Sequence, residues 1–281
     1  PDIPLNVSRS YLQADGAVKK ISAYITRKVA DKLSSLFKKD RKEFEKKWND
    51  IKIVIEYGML SEEKFYEKSE KFALYPTVDD KFYTYEELYN KVKAKQTDKD
   101  EKLIILYASD KQAQHSYIQN AKNKGYEVLL LDSPIVSHLI QKLETSKENI
   151  QFARVDSDHI DNLINKDKNK ISKLNDDQKK ELEEIVKNII NDDKFVIKLE
   201  SMDSKENPFI ITNPEFMRRM KEMQQSGGGG MFGTGSMPEM FNLVINTNSD
   251  LISQIVNTKT KKKQERLINQ SLELAKLSHG L

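Results

Sequence analysis

Three short apolar runs constrain this chain most: Leu103–Tyr107, Val128–Leu131 and Gln151–Val155. Runs this apolar read as fully buried strands, and the sequence between them has helical character. A helix running to Gly125 follows the first, and Ser133-Pro134 opens another by the cap-then-proline pattern. Strands alternating with helices predict a small parallel sheet with right-handed crossovers. Units of this kind often hold nucleotides at the first strand-to-helix turn. Here that turn is Ala108-Ser109-Asp110-Lys111, without the glycines that a backbone cradle for pyrophosphate requires. The unit therefore reads as structural or interaction-bearing.

Residues 17–95 upstream read as a helical layer. Val18, Ile21, Ile25, Val29, Leu33 and Leu36 recur at spacings of three and four and predict one long amphipathic helix. A second helix carries Phe44, Trp48 and Ile51 and is expected to stop near Gly58. A third starts at Ser61 with Glu62 and Glu63 in its first turn, and Thr84 with Glu87 forms a capping box for a fourth. Downstream, the polar stretch Asp156–Asn175 predicts a domain boundary. Beyond it a helix from Asp176 to Asn191 buries Leu182, Ile185, Val186, Ile189 and Ile190. Lys194–Glu200 alternates as a strand, with Phe209–Ile211 expected as its hairpin partner. Phe241–Asn246 is a further strand, and a last helix over Lys261–Leu277 carries the stripe Leu267, Ile268, Leu272, Ala275. The expected fold class is α/β (α+β overall): residues 1–157 hold a loop at 1–13, the helical layer and an α/β unit at 100–157, and 158–281 form a separate α+β domain.

Composition narrows the function. The 47 basic and 44 acidic residues are interleaved, so no single-sign field favours nucleic acid. No apolar run approaches the roughly 20 residues needed to span a bilayer, and no signal peptide opens the chain. With zero cysteines there is neither a disulfide scaffold nor a thiolate ligand or nucleophile, which fits a cytoplasmic protein. His115, His138, His159 and His279 lack metal-ligand spacing, so no metal site is expected.

Two stretches carry chemistry. Pro1–Gln13 alternates Ile3, Leu5 and Val7 around Pro4, which predicts a stiff extended arm. Ser8 then caps a short turn placing Arg9 and Gln13 on one face. That pair either offers donors to a phosphate or places Arg9 against a nearby carboxylate. The second stretch is the helix over 214–225, with Phe216, Met217, Met220 and Met223 on one side and Arg218, Arg219, Lys221 and Glu222 spread over the others. A methionine stripe is either ordinary core or an adaptable binding surface. The glycine-rich Ser226–Gly235 that follows is expected to be flexible. It is not a phosphate loop, since it follows a helix and lacks the Gly-Lys-Ser/Thr ending.

Asp2-Ile-Pro-Leu-Asn-Val-Ser-Arg-Ser-Tyr-Leu-Gln13 resembles the middle-domain catalytic loop of the ninety-kilodalton heat-shock chaperone family, bacterial branch, where the pattern is Asp-Leu-Pro-Leu-Asn-Xaa-Ser-Arg-Glu-Xaa-Leu-Gln. Ser10 departs from the family's glutamate. The segments Ala17–Ile21, Phe44–Trp48, Tyr126–Ile135 and Asn213–Met220 resemble family segments in family order. The resemblance implies part of a middle domain followed by a carboxyl-terminal domain with truncated dimerisation helices. It implies that Arg9 and Gln13 reach the terminal phosphate of ATP held by an amino-terminal domain outside this chain, so that the chain alone is inactive as an ATPase. It further implies that Phe216, Met217, Met220 and Met223 bind partly unfolded clients, and that the full-length protein is a homodimeric stress-response chaperone whose dimer is weakened here. The competing expectation is a non-enzymatic helical adaptor in which Arg9 only pairs with a carboxylate.

Overall fold

The computed structural model describes the backbone of residues 7–8, 11–12, 16–164, 171–225 and 240–281, and the side chains of 20–164, 171–221 and 240–281. The chain divides into two compact units, Pro1–Pro76 with Phe82–Tyr89, and Thr77–Lys81 with Asn90–Leu281.

In the first unit, β1 (Val7–Ser8) and β2 (Tyr11–Leu12) pair antiparallel. The helices α1 (Gly16–Lys39), α2 (Arg41–Lys46), α3 (Trp48–Ser61) and α4 (Glu63–Ser69) follow. β3 (Tyr75–Pro76) then pairs with β4 (Phe82–Tyr83), and α5 (Tyr85–Gln96) contributes residues to both units. Asp40 accepts from the Glu43 N–H at 3.0 Å and caps α2. The core is aromatic: Phe44 meets Phe37 edge-on at 5.5 Å, and Phe72 meets Phe65 edge-on at 6.1 Å.

Gly58 does not end its helix. A Cβ there would lie 2.7 Å from the Phe65 ring, so the glycine is the seat of that ring, and α3 runs on to Ser61. The Thr84 and Glu87 capping box forms, with Glu87 Oε2 accepting from the Thr84 N–H at 2.9 Å. Along α1, Ile21, Ile25, Val29 and Leu36 are each more than 40% exposed, and among the described side chains Ala30 is the buried member; the Val18 side chain lies outside the described residues.

The second unit holds two sheets. β5 (Leu103–Ala108), α6 (His115–Asn123), β6 (Val128–Leu130), α7 (Val136–Ser146) and β7 (Ile150–Arg154) give a parallel sheet in the order β6-β5-β7. Leu106 is paired with Val128 on one side and Ala153 on the other, and all of β5 is buried. Next come α8 (Ile160–Leu163), α9 (Asp176–Ile190), β8 (Phe195–Glu200), β9 (Phe209–Thr212), α10 (Glu215–Gln225), β10 (Phe241–Asn246), α11 (Asp250–Asn257) and α12 (Lys261–His279). Asn175 and Gln178 cap α9 reciprocally at 2.9 and 3.1 Å.

The expected hairpin between β8 and β9 is not present. β10 lies between them, parallel to β8 and antiparallel to β9, so that Leu243 faces both Ile197 and Ile211. The physical reason is burial: β10 is covered along its whole length, whereas β8 alternates in exposure as an edge strand does.

Ile104, Leu106, Tyr117, Val155, Met202, Ile210 and Val244 belong to one apolar cluster, drawn from both sheets. In the polar stretch Asp156–Asn175, Asp156, Ser157 and His159 are buried, and their polarity serves internal hydrogen bonding. The stripe Ile268, Leu272, Ala275 on α12 is buried in a second cluster with Phe209, Leu243 and Ile252.

Candidate functional site

Arg9 and Gln13 lie outside the described residues. The first strand-to-helix turn of the parallel sheet is described and is already filled. The Gln114 Oε1 accepts from the backbone N–H of Ser109 at 2.8 Å and of Asp110 at 3.0 Å. The Asp110 carboxylate accepts from the N–H groups of Gln112 and Ala113 at 2.7 and 2.9 Å. Amides that cradle an anion in nucleotide-binding relatives of this topology are here engaged by the chain's own side chains.

The other end of Gln114 reaches Asp156, which is 4% exposed, through an Nε2–Oδ1 bond of 2.8 Å. Arg154 donates to the same carboxylate from Nε at 2.6 Å and Nη2 at 2.9 Å. Asn213 adds its side-chain amide at 3.0 Å and its backbone N–H, to the Asp156 carbonyl, at 2.8 Å. Burial alone would raise the Asp156 pKa, but the Arg154 charge and these donors outweigh it and hold the carboxyl below its ordinary value. The carboxylate thus pins the Asn213-Pro214 entry to α10.

On α10 the usual polarity of a surface helix is reversed. Phe216 is 71% exposed, and Met217 and Met220 are half-buried; the Met223 side chain lies outside the described residues. The arginines turn inward. Arg218 is 9% exposed, donates from Nη2 to the Tyr107 hydroxyl at 2.6 Å and lies 5.7 Å from that ring's centre. It also pairs with Glu215. Arg219 takes Glu144 with both terminal nitrogens, at 2.8 and 3.1 Å. It donates further to the Phe152 carbonyl at 2.8 Å and to Glu215 at 2.6 Å. Burial would lower the Arg219 pKa, but Glu144 and Glu215 reverse this and raise it. The sequence places these arginines on the sides away from Phe216 and the methionines without showing that they are buried. Glu215, three residues before Arg218 and four before Arg219, is the local signal, and the remote partners Tyr107 and Glu144 leave no trace in it.

A second polar cluster joins His159 and Asp161 to two residues remote in sequence, Lys124 and Glu206. His159, which is buried, approaches Glu206 with Nε2 at 2.9 Å from Oε2, while its Nδ1 accepts from the Asp161 N–H at 3.4 Å. Together His159, Asp161 and Glu206 offer three groups able to hold a metal ion. The Lys124 ammonium, however, bonds to Asp161 and lies 3.0 Å from Glu206, so it supplies the positive charge there. Burial would raise the Glu206 pKa, yet His159 and Lys124 outweigh it and lower it.

Among the described residues no helix is long and apolar enough to cross a membrane. The described residues thus combine mixed helix and sheet, a parallel three-stranded unit and a helix, α10, held by inward arginines with Phe216 exposed. Comparison with known proteins gives the family. A sequence profile described as "Hsp90 protein" matches residues 1–277. The "Chaperone protein HtpG" of Bacteroides thetaiotaomicron is 50% identical over 260 residues, 92% of this chain and 38% of that protein. That of Porphyromonas gingivalis is 43% identical over 280 residues, 99% of this chain and 41% of that protein. The chain belongs to the Hsp90 family and spans about two fifths of the length of these relatives.

Proposed function

We propose that this chain is the client-binding portion of a molecular chaperone. The relatives are named as chaperone proteins, and the observation that carries the reading is the exposed Phe216 beside half-buried Met217 and Met220. A polarizable, adaptable surface of this kind suits weak binding of many partly unfolded chains. With Met223 these residues form the proposed client surface.

In the full-length protein, ATP is held by a domain outside this chain, and Arg9 with Gln13 completes the site. A guanidinium at the terminal phosphate neutralises charge that develops during hydrolysis. Homodimerisation draws support from Leu274, Leu277 and Leu281 on and beyond α12, exposed by 64, 76 and 53%.

The test is binding of a reduced, carboxymethylated α-lactalbumin, which cannot refold, followed by fluorescence anisotropy. Phe216→Ser should weaken binding about tenfold, as loss of an aromatic anchor does; unchanged binding would refute the client surface. Adding the amino-terminal ATPase domain in trans should raise ATP turnover, and Arg9→Ala should abolish that rise while leaving nucleotide affinity intact.

A further inference from the structure

We infer that Arg219, with Glu144, is a positioning pair that sets client affinity without touching the client. The inference rests on the client-binding reading above and adds to it how the binding helix is held.

A surface helix ordinarily buries an apolar stripe and shows its charges to water. In α10 the attachment is made by polar groups: Arg219 is bound to Glu144 on α7 and to the Phe152 carbonyl on β7, and Arg218 to Tyr107 on β5. Glu144 is itself fixed, since its Oε1 accepts from the Phe152 N–H at 2.7 Å. Anchoring by charge leaves Phe216 exposed and Met217 and Met220 in part available, because the guanidinium groups carry much of the fastening. A bidentate guanidinium also fixes rotation about the helix axis as a single apolar contact does not. The side that Phe216 presents is therefore dictated from the parallel sheet. With the Arg219 and Glu144 side chains 24 and 21% exposed, the pair is largely shielded, so rising ionic strength weakens its hold only in part.

The chemistry separates this role from general stabilisation. Arg219→Met breaks the pair and leaves Glu144 without its cation. Glu144→Met combined with Arg219→Met replaces the ion pair by an apolar contact, an exchange that proteins tolerate better than loss of one partner. Arg219→Lys keeps the charge and loses the fork.

The experiment uses the 281-residue chain and carboxymethylated α-lactalbumin, with amide hydrogen exchange over residues 215–221 measured in parallel. Arg219→Met should speed exchange in α10 and weaken client binding about two- to thirtyfold, the range seen for coupling from residues that do not touch the ligand. Arg219→Lys should fall between wild type and Arg219→Met. The double methionine variant should recover most of the affinity and lose its dependence on salt. Faster exchange with unchanged client affinity overturns the inference, as does failure of the double variant to recover binding while its α10 exchange returns to wild type. Phe216→Ser reports separately: if it leaves binding unchanged, the client surface itself is wrong, whatever the arginine variants do.

Discussion

Arg219 and Glu144 join α10 to α7 through two hydrogen bonds, of 2.8 and 3.1 Å, and the same carboxylate accepts from the Phe152 N–H at 2.7 Å. Glu144→Ala removes three bonds at once and leaves a guanidinium partly buried without its principal counter-charge. The expected loss is about 2 kcal/mol, between the limits for exposed and fully buried pairs. Glu144→Gln, which still accepts from Phe152, should lose about half as much. Urea unfolding of the two variants measures the difference.

Asp156 should control acid stability of the second unit. Its folded pKa lies below the ordinary value, so its contribution is fully present above the unfolded pKa of about 3.9 and is lost as pH falls through the folded pKa. Asp156→Ala should cost about 3 kcal/mol at neutral pH, because Arg154, Gln114 and Asn213 all lose the carboxylate to which they donate. The variant's urea midpoint should change less than wild type's as pH is lowered from 5 towards 2.

Gly58→Ala is expected to destabilise despite the better helix propensity of alanine, worth about 1 kcal/mol. The new Cβ would meet the Phe65 ring at 2.7 Å, and overpacking of this kind costs about 1–3 kcal/mol. Phe65→Leu in the Gly58→Ala background should recover part of the loss. A thermal-unfolding double-mutant cycle would expose the coupling, and strict additivity would disprove the steric account.

Gln114→Leu should destabilise by about 1–3 kcal/mol, since the N–H groups of Ser109 and Asp110 lose their shared acceptor. Calorimetric unfolding gives the loss. Gln114→Glu keeps an acceptor but sets a second carboxylate against Asp156, so its deficit should shrink as pH is lowered towards the carboxylate range.

What the sequence discloses here depends on range. Thr84 with Glu87 and the buried run Leu103–Tyr107 announce themselves because cap, partner or burial pattern lies within a few residues. Gly58 misled for a physical reason: a glycine late in a helical pattern resembles a stop signal, and only the position of Phe65 shows it to be a cavity for a ring. The order β8-β10-β9 was likewise hidden, because pairing along the chain favours neighbours while burial favours placing the most apolar strand in the middle. Helical spacing places the arginines of α10 on the sides away from the methionines and says nothing of their burial. Their inward direction is set by Glu144 and Tyr107, which no local pattern relates to them.

The central place of β10 has a consequence for biosynthesis. β8 and β9 are made first, but β10 is the strand to which both are paired. A ribosome adding ~5–20 residues per second needs a few seconds to pass from Thr212 to Phe241. Throughout that interval the nascent chain carries both outer strands of the second sheet without the strand that joins them. This sheet can close only after its last strand is released, so it cannot be assembled strand by strand as the chain is made.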